Sequence, residues 1–177
     1  ESVFPVSKPV KLSLGEVNVQ RAGPRQVDEI LGIYNQVNEG KATLTARDVM
    51  AAFGEKAYLL LKIENITRGF LGWQVENLVS RTTEMVLDPA IPAAEYLPIL
   101  IREMEHASSQ LQCEVSLIFV PPHLSRYDPL WISLGYTEKK PTELGVLAWQ
   151  EAALESMQPG SILFFKQLRQ DRVLKPI

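Results

Sequence analysis

The sequence predicts one mixed α/β (α+β) domain, built on a mostly antiparallel sheet of about seven strands flanked by helices. Three observations predict this fold class. Strand-like runs outnumber helical runs, the three central strand-like runs lie close enough in sequence to form hairpins, and a helical run separates the later strands. A chain of 177 residues with 46% hydrophobic content can bury a core of the size this fold needs.

The chain begins its regular structure with a strand and two helices. Alternating apolar and polar residues over 16–22 predict a short strand. Gly23-Pro24 then marks a turn, and apolar residues at helical spacing predict a helix that Asn38 and Gly40 end. Thr45 is a candidate N-cap for a second, shorter helix.

An antiparallel meander is predicted next. The apolar run over 57–64 is typical of a buried strand, and the segments over 68–79 and 80–88 are predicted to form the second and third strands. Only a few residues separate each run from the next. We therefore expect hairpins to join them.

The second half alternates helices with strands. A long amphipathic helix follows Pro92, and because Pro98 fits best in a first turn, we expect this helix to begin at 95–97. The remaining elements form a regular series. They are strands over 114–120, from residue 136 and over 161–168, with a short helix over 129–135 and a longer one over 145–157 between them.

Composition narrows the classes of function. The net charge of −3 argues against nucleic acid as a partner, and no apolar run approaches the ~20 residues that span a bilayer. One cysteine and two histidines do not predict a disulfide framework or a zinc site. We expect a cytoplasmic protein in which residues 1–15 form a linker or domain boundary and 16–177 form a single domain of a longer chain.

Three pieces of sequence, together with the order of elements, resemble the GNAT superfamily of N-acetyltransferases. FLGWQV, over 70–75, resembles the family's glycine-containing strand after a hairpin. VLDPAIPAAEYLPILIREM, over 86–104, occupies the place of the strand, pyrophosphate loop and helix. DPLWISLGY, over 128–136, resembles the late signature of the family, in which a short helix, a glycine and an aromatic residue fall in register.

The resemblance implies where a cofactor would lie. The family sheet splays between its fourth and fifth strands, here 82–87 and 114–120, and acetyl-CoA lies in that opening. If an acyl-CoA binds this chain, the matching cofactor contacts come from the end of the fourth strand and the start of the next helix. These positions are Val86, Leu87, Ala93 and Ala94.

The same alignment also exposes a departure from the family. The family loop reads Gln/Arg-x-x-Gly-x-Gly/Ala, and here Pro92, Glu95 and Leu97 stand at its three defining positions. Pro92 and Pro98 lack the N–H donors that a pyrophosphate needs. A carboxylate about 4 Å from a phosphate costs on the order of 1–4 kcal/mol, although Glu95 also suits the first turn of any helix. We therefore expect no cofactor.

Candidate catalytic residues are few. Trp131 stands at the position of the family's general-acid tyrosine, and an indole cannot protonate a thiolate at neutral pH. Tyr136 is expected in the core. The candidate general bases are Glu84, with Glu76 as an alternative, and His123 in the loop after the fifth strand is a weaker candidate.

Two hypotheses remain open. In the first, the chain is a GNAT-like domain that has lost acetyl-CoA chemistry and serves as a binding, regulatory or scaffold module, with other domains of its chain or another protein as partner. In the second, it is an active acyl-CoA-dependent N-acyltransferase with an atypical loop and water-mediated base catalysis.

Overall fold

The computed structural model describes residues 15–39, 41 and 44–170. Residues 1–14 of the linker expected over 1–15, Gly40, residues 42–43 and the last seven residues of the expected domain lie outside the described part. The helices and strands follow the predicted order, except that a short helix over Pro122–Ser125 forms where a loop containing His123 was expected. The strands are β1 Val17–Ala22, β2 Ala57–Ile63, β3 Ile66–Glu76, β4 Val79–Leu87, β5 Val115–Val120, β6 Thr137–Glu138 and β7 Ile162–Gln167. The α-helices are α1 Val27–Asn38, α2 Ala46–Ala52, α3 Ala93–Gln110, α4 Pro122–Ser125, α5 Asp128–Ser133 and α6 Leu147–Ser156.

All seven strands form one sheet in the order β1-β2-β3-β4-β5-β7-β6. Neighbouring strands run antiparallel, apart from the parallel pair β4 and β5. That pair is joined by α3, a crossover that parallel strands require. The predicted fold class, a mixed and mostly antiparallel sheet flanked by helices, is confirmed.

Helices cover both faces of the sheet. Helices α1 and α2 pack on one face over β2 and β3, and α6 packs beside them over β5 and β7. The opposite face carries α3 and α5, which bury the largest cluster of apolar side chains. On the first face, no helix of the described residues covers the carboxyl-terminal ends of β4 and β5. These ends lie between α1 and the segment that follows α6.

Local sequence explains most element boundaries. The Thr45 hydroxyl accepts a hydrogen bond from the Asp48 N–H at 3.2 Å, so the predicted N-cap of α2 is confirmed. Both hairpins of the meander turn through two residues in the left-handed region, Glu64-Asn65 and Asn77-Leu78. That geometry matches the twist of the flanking strands.

One expected helix boundary is confirmed and another was wrong. Helix α1 ends at Asn38, as predicted, and the next residue, Glu39, takes the left-handed conformation at φ 51°. The long helix α3 begins at Ala93 rather than at 95–97, and it contains Pro98 in its second turn. Pro98 is buried and its missing N–H removes one helical hydrogen bond, so the packing of the α3 face outweighs that loss.

Candidate functional site

Strands β4 and β5 separate partway along their length. They pair only over Val79–Thr82 and Val115–Ile118, although β4 continues to Leu87 and β5 to Val120. Thr83 has no partner on β3 either, because the register shifts between Gly72 and Trp73. This bulge bends β4 at the point where the two strands part. A cleft therefore opens between their carboxyl-terminal halves.

A cavity of about 260 Å³ lies over this cleft. Its walls come from the end of α1, from β4, from the segment after β5 and from the loop before β7. Most of its lining side chains are apolar or uncharged. They are Tyr34, Val37, Asn38, Phe70, Thr83, Glu84, Met85, Val86, Phe119, Pro121, Pro122, His123, Gln158, Pro159 and Ser161.

The predicted base Glu84 lines this cavity, and its carboxylate forms an ion pair with Lys56, which does not line the cavity. Lys56 Nζ lies 3.0 Å from Glu84 Oε2 and donates a second hydrogen bond to Thr83 Oγ1 at 3.0 Å. Burial raises the pKa of the Tyr58 phenol, and the nearby Glu84 carboxylate raises it further. Glu84 therefore has the Lys56 ammonium and the Tyr58 phenol beside it, so its carboxylate is already paired.

A glycine on the neighbouring strand makes room for this cluster. Gly72 pairs with Glu84 across β3 and β4. A Cβ atom at Gly72 would lie 3.0 Å from Tyr58 Cε1 and 3.2 Å from Lys56 Cδ. The Lys56 methylene chain thus crosses β3 over Gly72, and its ammonium reaches Glu84 along the surface of the sheet.

His123 lies at the rim of the same cavity. It is in the short helix α4, exposed to solvent, with Arg126 three residues further along. Partial burial lowers the pKa of His123, and the positive charge of Arg126 lowers it further. The imidazole is therefore mostly neutral at pH 7. The fold thus brings two sequence-predicted catalytic candidates, Glu84 and His123, to one cavity.

The four predicted cofactor contacts do not share one surface. Val86 lines the cavity, whereas Leu87 points into the core beneath α3. Ala93 is buried in that core as the first residue of α3. Ala94 instead lines a separate groove with Glu95 and Arg102.

In the loop from Asp88 to Pro92, each backbone N–H group that is present already donates a hydrogen bond within the chain. The Asp88 carboxylate accepts from the Ala90 N–H at 2.9 Å and pairs with Arg68 Nη1 at 2.9 Å. The Asp88 N–H donates to the Arg68 carbonyl at 2.7 Å, and the Ile91 N–H donates to the Asp88 carbonyl at 3.2 Å. Since the two prolines have no N–H, the donors of this loop are absent or already paired.

Comparison with known proteins identifies the fold. No protein-family model and no curated protein matches the sequence. Solved structures do match, among them the ribosomal-protein-S18-alanine N-acetyltransferase of Escherichia coli, with a TM-score of 0.67 and 10% identity over 92% of this chain and 100% of that one. The chain has the GNAT fold.

Other structural neighbours are described with a coenzyme. The putative acetyltransferase yncA of Salmonella typhimurium, with its cofactor acetyl-CoA, has a TM-score of 0.64 at 13% identity, covering 91% of this chain and 99% of that one. The PaiA N-acetyltransferase of Thermoplasma acidophilum, in complex with coenzyme A, has a TM-score of 0.63 at 8% identity, covering 86% and 99%. At these identities the likeness concerns the GNAT fold alone.

The aromatic residues of the segment over 128–136 belong to the core. Trp131 is fully buried, stacks on Phe164 and donates its indole N–H to the Leu124 carbonyl at 3.3 Å. Tyr136 is also buried, as predicted, and its hydroxyl lies 2.7 Å from Glu105 Oε2 and 2.8 Å from Ser116 Oγ. The alternative base Glu76 lies outside the cavity and pairs with buried Arg81.

Sequence reasoning missed one wall of the cavity and the partner of Glu84. Tyr34 and Asn38 at the end of α1, and Gln158 before β7, are far apart in sequence and carry no recognisable motif. Lys56 stands just before β2, and only the register of three strands places it beside Glu84. The one available signal was the glycine at 72, which indicates a close approach on that strand.

Across residues 15–39, 41 and 44–170, no cluster of three or more His, Cys, Asp or Glu side chains is placed to hold a metal ion. Within the same ranges, no helix combines the length and the apolar character needed to cross a membrane.

Proposed function

We propose that this chain is a GNAT-fold module that binds a ligand or a partner without acetyl-CoA chemistry and serves a regulatory or scaffold role in a larger protein. Its partner would be another domain of the same chain or a separate protein. The cleft between β4 and β5 is the surface through which we expect it to act.

One observation carries this proposal, the hydrogen bonding of the loop after β4. A pyrophosphate at a helix start needs free backbone N–H groups. In this loop Pro89 and Pro92 have none, and the N–H groups of Ala90 and Ile91 are already donated within the loop. Over 88–92 the loop therefore has no free N–H for the pyrophosphate of a coenzyme A. At the start of α3 the N–H groups of Glu95 and Tyr96 donate to the Pro92 carbonyl, which leaves those of Ala93 and Ala94 as the free donors of this segment, fewer than the family loop supplies.

The side chains at the expected general-base and general-acid positions support the same proposal. A general base must be free to accept a proton from its substrate. Glu84 is paired with Lys56, and the residue at the general-acid position, Trp131, is enclosed in the core with its N–H already donated. Neither Glu84 nor Trp131 is therefore assigned a role in proton transfer.

Calorimetric titration of the chain with acetyl-CoA tests this proposal. We expect no saturable heat at cofactor concentrations up to about 1 mM, the weak end of the affinity scale. An authentic N-acetyltransferase titrated in the same buffer serves as the positive control. Saturable binding in the micromolar range would overturn the proposal.

The second candidate function is that of an active acyl-CoA-dependent N-acyltransferase. Its support is the open end of β4 and β5, where Glu84 and His123 share one cavity. Direct attack by a well-oriented amine depends more on position than on a strong base. Release of free coenzyme A from acetyl-CoA over a panel of amines, above the rate without protein, would favour this candidate over the first.

A further inference from the structure

Among the described residues that line the cavity over the cleft, one side chain is acidic and the imidazole of His123 is the one basic group. Glu84 is the carboxylate in its wall, and His123 lies at its rim. Partial burial and the nearby Arg126 lower the pKa of His123, so at pH 7 this residue adds little positive charge. The charge of the cavity thus depends on whether Glu84 is neutralised.

Lys56 neutralises Glu84 without occupying the cavity. Its ammonium lies 3.0 Å from Glu84 Oε2, and its side chain is 15% exposed. Lys56 is not among the lining residues, because its methylene chain reaches Glu84 over Gly72. The carboxylate of the cavity therefore already has its counter-ion.

This arrangement works against a cationic ligand. An ammonium entering the cavity would meet Glu84 with Lys56 already beside it, and like charges at such separations repel. Displacing Lys56 would take its ammonium from two acceptors at once, Glu84 and the Thr83 hydroxyl. A neutral ligand meets neither obstacle.

The walls and the volume suit a small apolar molecule. Phe70, Val86 and Phe119 offer apolar surface, whereas Asn38 and Gln158 offer uncharged hydrogen-bonding groups. The volume of about 260 Å³ lies below the ~300 Å³ at which drug-sized pockets begin. A ligand the size of a single substituted ring would fill it.

We propose that this cavity selects an uncharged, mostly apolar ligand of the size of one substituted aromatic ring, and that Lys56 is the residue that excludes amines from it. The inference rests on the proposed function, since it takes the cleft to hold a ligand other than an acyl-CoA. Lys56 acts here as a specificity determinant, because it already supplies the positive charge that a ligand ammonium would otherwise bring to Glu84.

The test compares two ligands of almost equal shape, benzyl alcohol and benzylamine, which is cationic at pH 7. Backbone amide NMR of the whole chain measures each dissociation constant from the shifts of β4 and Phe119. We expect the wild-type chain to bind the alcohol at least about tenfold more tightly than the amine, the ratio set by one like-charge contact in a partly exposed site.

Lys56→Met keeps the methylene chain over Gly72 and removes the charge. We expect this variant to bind benzylamine about tenfold more tightly than the wild type does. Lys62→Met is the matched control, because Lys62 forms a comparable pair with Glu29 at 2.9 Å, with side-chain exposures of 14% and 35% against 15% and 34%, away from this cavity. It should leave both affinities unchanged.

Glu84→Gln provides a second reading that does not depend on Lys56→Met folding. With the lysine retained and the carboxylate removed, benzoate should bind about tenfold more tightly than to the wild type. Equal or tighter binding of the amine by the wild type, binding of neither probe, or an unchanged preference in both variants would overturn the inference. Acetyl-CoA binding would instead overturn the proposed function, because the alcohol–amine preference is measured without any coenzyme.

Discussion

Two carboxylates four residues apart have different surroundings. Glu84, on β4, lies in the wall of the cavity, with a side chain 34% exposed and an ion pair to Lys56. Asp88 follows the last residue of β4, has a side chain only 4% exposed, and accepts hydrogen bonds from both Arg68 and the Ala90 N–H. Glu84 therefore lines the open cleft, whereas Asp88 fixes the conformation of the loop after β4.

The difference indicates that the splayed sheet and the loop after β4 depend on different contacts. The splay of β4 and β5 depends on strand pairing and on the helices packed against both faces. A phosphate cradle depends on a few backbone N–H groups, which proline and an aspartate side chain can remove without disturbing the core. The predictions below test whether the cavity and the loop differ in this way.

The largest effect is expected from Asp88→Ala. It would leave the partly buried Arg68 without its carboxylate and the Ala90 N–H without its acceptor, and should lower the free energy of unfolding by about 3 kcal/mol. Urea denaturation at neutral pH measures this change. Asp88→Asn, which retains an acceptor oxygen, should lose about half as much, and two variants as stable as the wild type would show that the loop is not held by Asp88.

Two glycines of β3 test the two ends of the open part of β4, because Gly69 pairs next to the loop and Gly72 pairs with Glu84 in the cavity wall. Gly69 pairs with Leu87, and a Cβ there would lie 2.7 Å from the Val86 carbonyl oxygen, a backbone atom. At Gly72 a Cβ would instead meet the side chains of Tyr58 and Lys56. We expect Gly69→Ala to cost about 2 kcal/mol and Gly72→Ala about 1 kcal/mol in chemical denaturation, since side chains yield more readily than backbone.

Tyr58, beside Glu84, makes the free energy of unfolding depend on pH in the alkaline range. Burial and then Glu84 raise the pKa of Tyr58 above its ordinary value of 10, so the folded chain holds this proton more tightly than the unfolded chain does. The resulting stability is complete below pH 10 and is lost as the pH rises above 10. The wild type should therefore lose about 1.4 kcal/mol per pH unit more than Tyr58→Phe does above pH 10.

Denaturation of both chains at a series of pH values from 8 to 12 measures that difference. Subtracting the variant from the wild type removes the titration of the other tyrosines and lysines. Parallel curves for the two chains would contradict the prediction.

The smallest effect is expected from Glu84→Gln. A partly exposed ion pair contributes little to folding, so this change should alter the free energy of unfolding by less than about 1 kcal/mol. Together with Asp88→Ala it measures the contrast between the two carboxylates. A loss at Glu84 as large as the loss at Asp88 would mean that the cavity wall, too, is a structural element.

The order of elements was predictable because local pattern determines it. The apolar run over 57–64 and the helical spacing after Gly23 indicate their elements before any tertiary contact is considered. The start of α3 was predicted wrongly, since the rule that keeps proline in a first turn is local, whereas Pro98 is retained by the packing of its helix on the sheet. The roles of Glu84 and His123 remain predictions, although both line one cavity.

Sequence alone predicted most of the strands and helices and the positions at which proline removes an N–H after β4, because periodicity and the chemistry of proline are properties of short segments. It could not establish that Lys56 pairs with Glu84, or that Asp88 folds back on Ala90 and Arg68. Those contacts depend on the register of β2, β3 and β4, in which a shift of one residue moves every side chain to the other face. The tertiary structure therefore decided which carboxylate faces the cavity and which one closes the loop.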